Sequence, residues 1–128
     1  MKLLIKRYTI FSLLIISLSS CTLAKNKSIE TGNGSWYGKK FQGKPTASGE
    51  PFNMYALTAA HRTLPFNTMI KVTNLQNSRS IVVRVNDRGP YSKSRIIDLS
   101  YLGAKKLGYL NKGVAKLKIE VLYRKKRK

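Results

Sequence analysis

The sequence predicts one small all-β domain, a compact β-barrel of short strands with a single short helix, and three observations lead to it. Met69–Leu75 and Ser80–Asn86 are rich in β-branched residues, and the Gln76-Asn77-Ser78-Arg79 break between them is short enough for a hairpin. Ala115, Leu117, Ile119 and Val121 alternate with Lys116, Lys118 and Glu120, the period-two pattern of a half-buried strand. Setting aside an N-terminal leader of 20 residues leaves 108 of the 128, enough for one core and too few for two.

The elements follow in order along the chain. Lys2, Lys6 and Arg7 precede an apolar run from Tyr8 to Leu18, the layout of an export signal and too short for a spanning helix. The run ends in Leu18-Ser19-Ser20-Cys21, a lipobox-like phrase, so Cys21, the only cysteine, is expected to be the lipidated first residue of the mature chain. A free or buried thiol is the lesser alternative, and one cysteine excludes an intrachain disulfide. Residues 21–31 read as lipidated Cys and flexible tether, with the barrel domain at 32–122 and a basic tail at 123–128. Gly34-Ser35-Trp36-Tyr37-Gly38 reads as a short strand between turns, and Phe41 to Gly49 as a loop from which Glu50 emerges. After the hairpin, Asp98-Leu99-Ser100 opens a helical pattern through Leu102 and Leu107 that Gly108 ends. Glu120 is expected to be an exposed strand charge.

The chain carries 25 Lys and Arg against 5 carboxylates and a single histidine. With the three leader cations removed, 22 cations against 5 acids leave the mature chain near +17, a charge drawn to polyanions. An exported chain meets anionic lipid and the carboxylate-bearing cell wall and not the genome, so no nucleic acid is expected as a partner. Solubility alone is the competing explanation of the lysines. Against this background the acids stand out: Asp87 lies in Val85-Asn86-Asp87-Arg88-Gly89-Pro90, Asp98 in Ile96-Ile97-Asp98-Leu99-Ser100, and Glu50 precedes His61 by eleven positions. The pattern points to carboxylate acid/base chemistry on a sugar polymer. One histidine and one lipobox cysteine do not make a usual zinc site, no nucleophile elbow surrounds Ser48, and no glycine-rich phosphate loop is present, so neither metal nor cofactor is expected.

Six phrases taken together strongly resemble the rare lipoprotein A family: Gly34–Gly38, Thr46–Glu50, Leu57–Pro65, Val72-Thr73-Asn74, Val83–Tyr91 and Arg95–Ser100. The resemblance runs from about Gly32 to Leu122. It implies a six-stranded double-psi β-barrel in the bacterial envelope, shared with expansins and a group of cellulases. It also implies, for some members, lytic transglycosylase activity on peptidoglycan. In the relatives the residue resembling Asp98 is the acid facing the glycosidic oxygen.

These lines give Asp98 as general acid/base, Asp87 as its electrostatic partner, and Glu50 with His61 as a supporting hydrogen-bonded pair, with the roles open to permutation. Trp36 and Tyr37 offer faces for pyranose stacking, and Thr46, Ser48 and Arg88 offer donors for hydroxyls or the lactyl carboxylate. Each residue has a plainer reading as well. Asp98 serves equally as a helix N-cap, Asp87 as an Asx-turn former or partner of Arg88, His61 as a core imidazole, Glu50 as a surface ion-pair member and Trp36 as barrel core. The expected whole is a monomeric, lipid-anchored glycan lyase on the periplasmic face of the outer membrane. Its partners are peptidoglycan strands and, through Cys21, the membrane. The alternatives are a non-catalytic expansin-like binder and a structural bridge acting through the basic tail. The chain ends just after the barrel without the C-terminal repeat domain of many relatives, which leaves septal targeting open.

Overall fold

In the computed structural model, which describes residues 28–124, six strands close into a barrel in the order β1-β5-β2-β4-β3-β6. The strands are β1 (Ile29–Tyr37), β2 (Thr58–Ala60), β3 (Met69–Asn74), β4 (Ser80–Asp87), β5 (Arg95–Ser100) and β6 (Ala115–Tyr123), with helix α1 at Tyr101–Leu107. The leader, Cys21, most of the tether and residues 125–128 lie outside the described residues. Two pairings are parallel, β1 with β5 and β2 with β4; the other four are antiparallel.

Alternation builds the core as the sequence predicts for the hairpin and the last strand. Ile70, Val72, Val83, Val85, Leu117 and Ile119 all point inward at 0–1% exposure, joined by Ile97 and Leu99 from β5. The β3–β4 hairpin is antiparallel with Val72 opposite Ile81. Asn74, buried at its end, donates from Nδ2 to the Leu107 carbonyl at 2.9 Å, as does Asn77, so the turn is tied to the end of α1. Helix α1 lays Ala104 and Leu107 on the barrel and ends at Gly108, whose φ of 77° is the left-handed conformation that favours glycine.

Three expectations are corrected. The helix begins at Tyr101 and not at Asp98: Ser100 is its N-cap, accepting from the Gly103 amide at 3.2 Å, and Asp98 belongs to β5. The hydroxyl of Ser100 also donates to the Ala56 carbonyl, so the chain leaves the strand and enters the helix through one side chain. The fold begins at Ile29, because Ile29, Glu30 and Thr31 pair with Glu120, Ile119 and Lys118 of β6. Residues 29–31 are therefore strand and not tether. Glu120 is not an exposed charge, since β1 and β3 flank it at Ile29 and Lys71 and leave its side chain 15% exposed, 3.9 Å from Lys118 Nζ.

Candidate active site

Three adjacent strands bring the acids together. Ala60 of β2 pairs with Asp98 of β5 on one side and with Asp87 of β4 on the other, so the two aspartates flank one alanine in a single row across the sheet. Two inter-strand spacings put their Cα atoms about 10 Å apart. The β2–β4 register advances by one residue between Ala59 and Ala60, which makes Asn86 the extra residue and brings Asp87 opposite Ala60. The small Ala60 side chain leaves room between the acids, and all three residues line a cavity of about 370 Å³.

Each carboxylate is held by one oxygen. Asp98 Oδ1 accepts from Ser35 Oγ at 2.9 Å and from Arg95 Nε at 3.0 Å. Asp87 Oδ1 accepts from the main-chain N–H of Ala47 at 2.9 Å and of the next residue, Arg88, at 2.8 Å, in place of the bond two residues on that an Asx turn would make. In both cases Oδ2 has no protein donor among the described residues. Two donors orient the group and the second oxygen remains available for a ligand.

Tyr37 completes the wall. Its ring packs on Phe52 at 4.4 Å and edge-on to Phe41 at 5.9 Å, and its hydroxyl is buried with no hydrogen-bond partner. Burial first, and then the charges of Asp87 and Asp98, push its phenol far above the ordinary tyrosine range, so it remains a donor at any working pH. Tyr109 donates to the Ser35 carbonyl at 3.0 Å and is raised likewise, by burial and then Asp98.

Of the remaining candidates, Trp36, Thr46 and Arg88 line the cavity, and Glu50, His61 and Ser48 do not. Glu50 and His61 do not meet. Glu50 forms a two-pronged pair with Arg84 at 2.6 and 3.0 Å, which holds its carboxyl below the ordinary glutamate range, the hydrogen bond being the main cause. His61 instead bonds Glu30 at 2.9 Å through Nε2, while Nδ1 accepts from the amides of Thr63 at 3.2 Å and Leu64 at 3.1 Å. Two N–H donors on Nδ1 leave the ring proton on Nε2, so Nε2–H donates to Glu30. Neither Glu50 nor His61 lines the cavity. The residue sequence reasoning passed over is Glu30, assigned to the tether.

Thr46 borders the cavity, but its hydroxyl donates to the Glu50 carbonyl at 2.7 Å and closes the 46–50 turn with Ser48, which stands outside. Arg88 lies along the wall with its guanidinium turned inward, donating to the His61 and Leu64 carbonyls at 3.2 and 2.9 Å over the Phe66 ring. Trp36 lines the cavity and also packs against the core, with Nε1 donating to the Leu110 carbonyl at 3.3 Å and its ring edge-on to Tyr101. Ser35, Arg95 and Tyr91 are among the bordering residues that the sequence reading did not single out. Ser35 was legible in principle, because its parity with Tyr37 puts both on one strand face. Among the described residues no group of three or more His, Cys, Asp or Glu is placed to hold a metal ion.

A closed six-stranded barrel with two aspartates facing one cleft defines the class: a small double-psi barrel with a carboxylate site. The chain belongs to the lytic transglycolase family, whose model matches residues 29–119. It is 55% identical over 89 residues to the endolytic peptidoglycan transglycosylase RlpA of Pseudomonas aeruginosa, covering 70% of this chain and 26% of that protein. It is 56% identical over 93 residues to the protein of the same name from Vibrio cholerae, covering 73% and 35%, and 54% identical over 91 residues to that of Neisseria meningitidis, covering 71% and 38%. The chain thus spans between about a quarter and two fifths of the length of these relatives. Two solved structures share the fold: the Streptomyces papain inhibitor, with a TM-score of 0.62 at 24% identity over 75% of this chain and 96% of that one, and a Clavibacter michiganensis expansin, with a TM-score of 0.61 at 18% identity over 78% and 53%.

Proposed function

We propose that this protein is an endolytic lytic transglycosylase that cuts peptidoglycan strands between N-acetylmuramic acid and N-acetylglucosamine and leaves 1,6-anhydro ends. The observation that carries the reading is the Asp98–Ala60–Asp87 row, with each aspartate oriented through one oxygen and presenting the other in a shared cleft. More than half identity over the barrel to proteins named for this activity supports it.

In this mechanism Asp98 protonates the glycosidic oxygen as the bond to the muramic C1 breaks. The resulting carboxylate then takes the proton of the C6 hydroxyl, whose oxygen closes on C1 to form the anhydro ring. The proton count returns to its start and no water is consumed. One carboxyl therefore suffices for proton transfer. Asp87, across Ala60, supplies negative charge facing the oxocarbenium-like transition state. Ser35 and Arg95 position Asp98, and the Ala47 and Arg88 amides position Asp87. The two donors on Asp87 are main-chain groups, so only a change in the turn itself displaces it.

The lipobox-like phrase ending at Cys21 supports a lipoprotein with acyl chains, palmitate among them, on that cysteine. Thr22, in place of Asp, supports sorting to the outer membrane, with a monomeric barrel facing the periplasm. The test incubates the protein with intact and peptide-stripped glycan strands and reads product ends by mass spectrometry. Anhydro ends are expected from the unmodified chain, with Asp98→Asn reducing turnover by about 10²–10⁴-fold while glycan binding survives. Hydrated reducing ends would mean hydrolysis. Binding without any cleavage would favour the expansin-like binder.

A further inference from the structure

Tyr91 is 91% exposed, more than any other large hydrophobic side chain among the described residues, yet the loop that carries it is firmly held. Arg62 donates from Nη1 to the carbonyls of Pro90 at 3.3 Å and Ser92 at 3.0 Å, and from Nη2 to that of Arg95 at 2.7 Å. One guanidinium thus gathers three carbonyls on either side of the aromatic ring. The hydroxyls of Ser92 and Ser94, 2.7 Å apart, close the same turn.

Tyr91 also borders the cavity that contains Asp87 and Asp98. The core makes no use of the ring, and water gains nothing from its exposure. A lone aromatic is too small to serve as a protein-binding patch, but its face matches the axial C–H face of a single pyranose. Loop rigidity matters here, because a main chain already held in place loses little further conformational entropy when a ligand covers its side chain. Across the cleft, Phe41 is 43% exposed and Lys44 Nζ lies 5.7 Å from its centroid, giving the second lip an aromatic and a cation.

We propose that Tyr91 is a sugar-stacking platform at the rim of the acid cleft, seating a pyranose ring beside the scissile bond, and that Arg62 is the positioning residue that holds it there. The inference rests on the glycan-cleaving reading and adds a specific binding surface to it. It adds an exposed aromatic at the rim to Trp36, which lines the same cavity while packing against the core.

The experiment uses the purified full chain and peptide-free glycan strands, measuring KM and kcat for release of anhydro ends. Strand binding is measured separately in an Asp98→Asn background. Tyr91→Ala is expected to weaken binding and raise KM about tenfold, the loss from uncovering on the order of 60 Å² of apolar ring face, with kcat within about twofold. Tyr91→Phe keeps the ring and is expected to match the unmodified chain. Arg62→Lys keeps the charge but not the three-carbonyl fork, and is expected to raise KM without changing kcat. Cleavage by the unmodified chain with Tyr91→Ala unchanged in KM and binding overturns the platform alone. So does a Tyr91→Phe variant as weak as Tyr91→Ala, because the ring face would then not be the contact. An unmodified chain that neither binds nor cleaves the strands overturns both this inference and the reading beneath it.

Discussion

Replacing His61 separates a structural imidazole from a catalytic one. The side chain is buried, and its Nδ1 accepts from the amides of Thr63 and Leu64, the second of them in a fully buried bond. His61→Ala leaves the Leu64 N–H without a partner, which costs about 1–3 kcal/mol, while the Thr63 N–H, nearer solvent, costs about 0.5–1 kcal/mol. The loss of the bond to Glu30 adds little, because the Glu30 side chain is 44% exposed and water replaces it. The sum is about 1.5–4 kcal/mol, a substantial share of the roughly 5–15 kcal/mol that holds a domain of this size. Urea unfolding should show the midpoint falling with an unchanged slope, and thermal unfolding should show Tm falling by roughly 10–20 °C. His61→Asn places a carbonyl oxygen near the Nδ1 position and should recover more than half of the loss. Glycan cleavage per folded molecule should stay within about threefold in both variants. A stability loss below about 0.5 kcal/mol, or an Asn variant no better than Ala, would refute the backbone-acceptor account. Cleavage lost at unchanged stability would return His61 to the chemistry.

Two further outcomes test the frame around the site. A Cβ added at Gly34 would stand 2.9 Å from Ile97 Cγ2, in harder contact still with Leu117 Cδ1, so Gly34→Ala should destabilise by about 1–3 kcal/mol in chemical denaturation. A neutral result would mean that β1 and β6 shift apart easily. Glu50 has its folded pKa lowered by Arg84, so its pairing contributes stability above the ordinary glutamate value of about 4.5 and loses it as pH falls through the lower folded value. The stability gap between the unmodified chain and Glu50→Gln should therefore be present at pH 6 and close toward pH 3. Both partners are about one third exposed, so the gap is small, and one that widened on acidification would contradict the assigned pair.

The hairpin and the last strand were legible because each buries one face, and a period of two then writes itself into the residues: Ile70 and Val72, Val83 and Val85, Leu117 and Ile119. Strand β2 has three residues, Thr58–Ala60, all buried, which is too short for a period to show. Strand β5 was hidden for another reason. Asp98 and Ser100 are both good N-caps two residues apart, and only the pairing of Arg95–Ser100 with β1 shows that Ser100 caps the helix.

The site shows the same division. Candidate chemistry was readable from residue type: in a chain this basic, aspartates at 87 and 98 in distinctive phrases stood out, and both line the cavity. Partnership was not readable. Glu50 and His61 are eleven positions apart and go to different partners, Arg84 and Glu30. Which carboxylate meets which base depends on strand order, and strand order in a closed barrel joins residues remote in sequence, as β1 joins β5 and β6. Arg88 looked free for the same reason, since hydrogen bonds to the His61 and Leu64 carbonyls, 27 and 24 positions away, leave no trace in local pattern. Taken alone, the sequence determined the β class, because burial periodicity is a local property, and its ordered phrases carried the resemblance that pointed to the family and to Asp87 and Asp98. Only the tertiary structure decided that Ala60 separates those aspartates, that His61 pairs with Glu30, and that Tyr91 borders the cavity, because each depends on contacts between segments remote in sequence.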